Sequence, residues 1–154
     1  MRRNNAAQAL YRLIYCSRDV TGPAGDGAHP DLDAIAAASR PRNEREGVTG
    51  ALLFTGTGYA HVLEGPRDAL DRIFDHVAVD PRHTEVTILS FTPTERRRFP
   101  DQPMALLAAL PPGMADPLGG LKPDPEHDRP RLTTGGDVLR LIEALVRMRS
   151  EAAV

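Results

Sequence analysis

The sequence predicts an α+β fold: a ferredoxin-like βαββαβ sandwich with an extra edge strand and a C-terminal helical extension. Three observations predict it. Four strand-like segments, at residues 10–17, 48–54, 59–64 and 86–91, alternate with two amphipathic stretches in the order strand, helix, strand, strand, helix, strand. A hairpin signal, Thr55-Gly-Thr-Gly58, joins the middle pair of strands. Residues 111–134 hold many of the prolines and several glycines, which sets a last amphipathic stretch apart as an appendage.

The first strand, residues 10–17, is rich in Tyr, Ile and Leu. Residues 21–30 are a loop by their Gly and Pro content. Asp31 is placed to cap a helix whose stripe is Leu32, Ile35 and Ala36 and which runs to about Ser39. Residues 41–47 are polar and turn-like, and the hairpin of strands two and three follows. Pro66 suits the first turn of a second helix, whose apolar face is Leu70, Ile73, Phe74 and Val77. A turn at residues 80–83 leads into the fourth strand. The basic cluster Arg96–Arg98 reads as solvated, and a further edge strand is expected after it. Val138, Leu141, Ile142, Leu145 and Met148 then form one face of a helix capped near Gly136 or Asp137. That helix either packs on the sheet or pairs with a second subunit. The expected organisation is a domain over residues 8–108, a linker over 109–134 and a helix over 135–151.

Composition narrows the function classes. With 154 residues there is room for one domain and a tail. A formal net charge of -2 offers no general attraction to nucleic acid, and no apolar run is long enough to span a membrane. The N-terminus has two arginines but no apolar stretch of signal-peptide type. The single cysteine, Cys16, excludes an intrachain disulfide and suits a buried strand position, so a cytoplasmic setting is expected. The five histidines show no metal-ligand spacing, and neither Gly-x-Ser-x-Gly nor a phosphate-binding glycine loop is present, so an enzyme is not expected.

Several motifs fall in one order: Tyr11-Arg-Leu-Ile-Tyr15-x-Ser17, Arg42-Asn43 ahead of Gly47-Val-Thr-Gly50, Val62-Leu-Glu-Gly65, Asp80-x-Arg82-His83, and Arg97-Arg-Phe99 ahead of Met104. Together, over about residues 10–107, they resemble the BLUF family of blue-light sensors that bind FAD. The resemblance implies a flavin between the two helices, above the sheet. FAD is the expected cofactor, with FMN or riboflavin as alternatives.

The resemblance also assigns roles. Tyr15 would donate an electron to the excited flavin. Asn43 would hydrogen-bond the ring edge, and Ile35 and Val77 would sandwich the ring. Ser39 would lie nearby. His76, Asp80, Arg82 and His83 would serve the ribityl and phosphate end, where arginine is the natural phosphate partner. Met104 would be the methionine of the fifth strand that is coupled to signalling. The chain departs from the family twice. Gln102 stands where a tryptophan is common, and the chain has no tryptophan at all. His61 stands where the family has the glutamine that bridges the tyrosine and the flavin. An imidazole donates and accepts through two nitrogens but has no amide to turn. The expected function is therefore a blue-light sensor with an atypical or impaired photocycle, working through an unidentified partner protein or self-association. The alternative is a flavin-free scaffold that binds a protein partner.

Overall fold

The computed structural model describes residues 9–19, 31–54, 58–79, 83–107 and 134–152. The expected loops at 21–30 and 55–57, the turn residues Asp80 and Arg82, and most of the expected linker lie outside the described residues. The elements are β1 (Leu10–Asp19), α1 (Asp31–Glu46), β2 (Thr49–Phe54), β3 (Gly58–Pro66), α2 (Arg67–Ala78), β4 (His83–Pro93), β5 (Ala105–Leu107) and α3 (Gly135–Ala152). They build one five-stranded sheet in the order β4-β1-β3-β2-β5. The first four strands pair antiparallel, as expected of the ferredoxin-like order. The extra strand is present at the far edge, where β5 runs parallel to β2 and makes the sheet mixed.

Strand alternation sorts the side chains into two layers. Leu13, Tyr15, Leu63, Ala69, Leu70 and Ile73 form one cluster under α2, and Ala36, Leu52, Phe54, Tyr59 and Met104 form another under α1. On the opposite face Ile14, Cys16, Ala51, Leu53, Ala60 and Val62 meet Val138, Ile142 and Leu145 of α3. The last helix therefore packs on its own sheet. Met148, expected on the same face, is instead half exposed. Burial pushes the Cys16 thiol up to about 11, which keeps it an inert packing group.

Helix α1 differs from its expected extent. It runs through Pro41 and ends at Glu46, so residues 41–46 are helix and not turn. Proline removes one backbone donor, but tertiary contacts carry the helix past it. Ala36, Ser39 and Asn43 recur at helical spacing and are all buried. Arg40 Nε donates to the Met104 carbonyl at 3.1 Å, and Asn43 Nδ2 donates to the Pro103 carbonyl at 2.7 Å. The end is a Schellman motif. The Val48 N–H reaches the Asn43 carbonyl at 2.8 Å and the Gly47 N–H reaches the Glu44 carbonyl at 3.3 Å, with Gly47 at φ +72°.

Two other termini also shift. Pro66 closes β3 and caps α2 from just outside the helix, with an extended backbone. The cap of α3 is Thr134, two or three residues ahead of the expected Gly136 or Asp137. Its hydroxyl accepts from the Asp137 N–H at 3.0 Å, while the Asp137 carboxylate accepts from the Thr134 N–H at 3.3 Å. This is the reciprocal capping box. The Thr134 bonds, followed by that to Arg140, hold the Asp137 carboxyl below its usual range. The cap is therefore at full strength above the ordinary carboxylate range and weakens as pH falls through the lowered value.

The packing of α3 leads to a stability test. Ile142→Ala empties a fully buried position and should cost about 2–5 kcal/mol in urea unfolding. Met148→Ala, on the exposed side of the same helix, should stay within about 0.5 kcal/mol.

Candidate functional site

The sheet face under α1 and α2 carries a cavity of about 620 Å³. That size is ordinary for a small-molecule site, typically ~300–1,000 Å³. Strand β3 supplies Tyr59, His61 and Leu63, spaced two apart so that all three face the helices. Tyr15 of β1 and Leu52 of β2 flank His61 as its register partners on either side. Ile35, Ser39, Arg42 and Asn43 line one wall from α1, and Ile73, His76 and Val77 line the other from α2. Met104 closes the end next to β5.

At the centre, the Tyr15 hydroxyl lies 2.6 Å from His61 Nδ1. Both side chains are buried, at 2% and 5% exposure. The Tyr15 ring is edge-on to His61 at 5.3 Å and to Phe74 of α2 at 5.6 Å, which fixes the phenol on both sides. The β1–β4 register shifts beside Tyr15, between Ile14 and Tyr15. Such irregularities re-aim side chains next to functional sites.

The amide of Asn43 is divided between two tasks. Its nitrogen holds the Pro103 carbonyl, while Oδ1 is buried without a hydrogen-bond partner. Nε of Arg42, the preceding residue, is in the same condition. A buried acceptor and a buried donor left open on one cavity wall are costly unless a ligand meets them. With apolar walls of Ile35 and Val77 on opposite helices, the cavity fits a flat ring bearing carbonyl and N–H groups along one edge.

Eight of the sequence-predicted residues meet in this cavity: Tyr15, Ile35, Ser39, Asn43, His61, His76, Val77 and Met104. Asp80 and Arg82 lie outside the described residues, and His83 opens β4 instead of closing a turn. Sequence reasoning missed Tyr59, Leu52 and Ile73 as lining residues. The strand alternation around His61 and the helical stripe ending at Val77 were signals that could have placed them.

A family model for sensors of blue-light using FAD, the BLUF family, matches residues 10–105. The chain belongs to that family. BLUF domains are flavin-binding blue-light sensors. The dark-state structure of BlrB, a BLUF protein, is 34% identical, with a TM-score of 0.64 over 89% of this chain and 97% of that one. The BLUF structure of BlrP1 is 37% identical, with a TM-score of 0.57 over 64% of each chain. Among curated proteins, the photoactivated adenylate cyclase subunit beta of Euglena gracilis is 36% identical over 72 residues, 47% of this chain and 8% of that subunit. The blue light- and temperature-regulated antirepressor BluF of Escherichia coli (strain K12) is 32% identical over 68 residues, 44% of this chain and 17% of that protein. The chain thus spans less than a fifth of the length of these two curated relatives.

The opposite face of β3 holds a second polar centre. Glu64, three residues from His61, is fully buried. It receives Arg12 Nε at 2.9 Å, the Arg98 N–H at 2.9 Å and the Phe99 N–H at 3.0 Å. In the basic cluster Arg96 and Arg98 are exposed, as expected, while Arg97 is partly buried. Arg97 donates to the Thr49 hydroxyl and to the Glu64 and Gly47 carbonyls, and Arg98 pairs with Glu143 of α3 at 3.0 Å. These bonds fix the segment that delivers Pro103 and Met104 to the cavity.

Glu64→Ala should cost about 3–5 kcal/mol in denaturant unfolding, because it strands the Arg12 guanidinium and two backbone donors. Arg98→Ala, removing only a partly exposed pair, should cost about 1 kcal/mol or less.

Proposed function

We propose that this chain is an FAD-binding blue-light sensor domain whose photocycle is altered by His61. The observation that carries the reading is the buried Tyr15–His61 contact at 2.6 Å beside the open Oδ1 of Asn43. Ile35 and Val77 would flank the isoalloxazine ring. Asn43 would accept from the ring N–H, and Arg42 would donate to a ring carbonyl. His76, with His83, Asp80 and Arg82, would meet the ribityl and phosphate end. The flavin, when bound, supplies blue-light absorption and an electron-accepting excited state. Tyr15 then acts as the reductant next to it, a phenol held by packing and by His61.

The resemblance implies a glutamine at the position of His61 in BLUF domains, where turning of the amide would change the hydrogen bond to the flavin. His61 offers a ring whose two nitrogens sit in fixed directions, so it cannot exchange a carbonyl oxygen for an amino group in place. The expected consequence is a flavin that is bound and photoactive but lacks the usual reversible red-shifted state. Residues 8–108 would form the sensing domain, joined by residues 109–134 to the helix at 135–151. The output would pass to a partner protein or to a second copy of the chain, in the cytoplasm.

The deciding measurement is an absorption spectrum of the purified protein, in the dark and after blue light. Bound oxidised flavin without a reversible red shift is expected, and His61→Gln should restore the shift. A full reversible shift in the native protein would overturn the altered photocycle. No uptake of added flavin would overturn flavin binding and leave the partner-binding scaffold. Asn43→Ala, which removes both the open acceptor and the link to Pro103, should weaken flavin affinity about tenfold or more in a fluorescence titration.

A further inference from the structure

Tyr15 and His61 are cross-strand partners on β1 and β3, and their polar atoms approach to 2.6 Å in a buried site. A phenol ordinarily loses its proton near pH 10 and an imidazolium near pH 6.5. With oxidised tyrosine absent, the proton therefore stays on oxygen. Removing one electron from a phenol turns its O–H into a strong acid, and the proton leaves to a base within hydrogen-bond reach. A carboxamide in place of His61 would not be such a base near neutral pH. A neutral imidazole with its lone pair on Nδ1 is one.

We propose that His61 is the proton acceptor of Tyr15 and that the light reaction is consequently gated by the protonation state of His61. The inference rests on the flavin-binding reading above. In the step, one electron leaves the Tyr15 ring for the photoexcited flavin. The Oη–H bond breaks and an Nδ1–H bond forms. Tyr15 ends as a neutral phenoxyl radical, His61 as an imidazolium, and the electron acceptor carries one added negative charge, so total charge is unchanged. In the dark the electron returns to Tyr15 and the proton to its oxygen, and nothing is consumed.

An imidazolium already formed by acid has no lone pair on Nδ1. Its Nδ1–H faces the phenol as a donor, and the proton of Tyr15 has nowhere to go at that atom. The reaction therefore runs above the titration of His61 and fails below it. Among the described residues, the other titratable or charged groups lining the cavity are Arg42 from α1, His76 from α2 and Tyr59 on β3, while β2 contributes Leu52. His76 is a second imidazole on the cavity lining, at an exposed position, so a variant must separate the two histidines.

The test uses the full chain loaded with FAD. Nitrogen-15 NMR in the dark gives the His61 titration, and transient absorption after a blue flash gives the tyrosyl radical yield between about pH 5 and about pH 9. The expected yield follows the NMR midpoint and falls to about a tenth of its plateau one pH unit below it. Radical formation should slow in D2O. His61→Gln should lose the pH dependence in this window, its dark flavin spectrum showing that the pocket is intact, and His76→Gln should keep it. A yield independent of pH in the native protein, or a dependence that survives in His61→Gln, would overturn the proposal while leaving flavin binding standing. A chain that takes up no flavin would overturn the underlying reading, and the dark spectrum shows that before any flash.

Discussion

The architecture depends on β3 being buried on both of its faces. From Gly58 to Gly65 every residue of this strand is buried, and it pairs with β1 on one side and β2 on the other. A strand in that position cannot slip by one residue without exchanging its two faces. Here the exchange would drive the Glu64 carboxylate under the helices and His61 under α3. Glycine on the neighbouring strand tightens the constraint. A side chain at Gly50 would run into the Val62 carbonyl, so β2 approaches β3 as closely as backbones allow. One register thus fixes both the pocket chemistry on one side and the polar anchor on the other.

The two polar centres of β3 solve different problems. The Tyr15–His61 contact is a pair of groups that can trade a proton, set in a cavity. Glu64 is a carboxylate saturated by a guanidinium and two backbone donors, which is the condition under which a buried charge is tolerated. Its work is positional. It holds the chain after β4 so that Phe99 packs under α3 while Pro103 and Met104 arrive beside Asn43.

Much of this was legible in the sequence, for identifiable reasons. The four main strands and α2 have strong apolar patterns, and those patterns gave their order and the ferredoxin-like topology. The wall of the cavity that comes from α2 follows from the same stripe. What could not be read was the second half of α1. Its buried positions after Ala36 are Ser39 and Asn43, which are polar, so apolar periodicity ends where the helix does not. Pro41 reinforced the wrong reading. Gly47 was the available sign of the true end, since a Schellman motif needs a left-handed residue there. Within the basic cluster, the partly buried Arg97 could not be told from its exposed neighbours for a related reason. Charge suggests solvent, and the hydroxyl and carbonyls that receive Arg97 come from residues far away in sequence.

The parallel edge strand β5 has three residues, few for independent stability. It is preceded by two carbonyls, of Pro103 and Met104, that accept hydrogen bonds from side chains of α1. The rim of the sheet is therefore tied to a helix as well as to β2. Local opening of that rim must either break those two bonds or pull α1 with it, and Met104 would leave the cavity wall in the same motion. In such an arrangement the looseness of the edge and the shape of the pocket are a single degree of freedom.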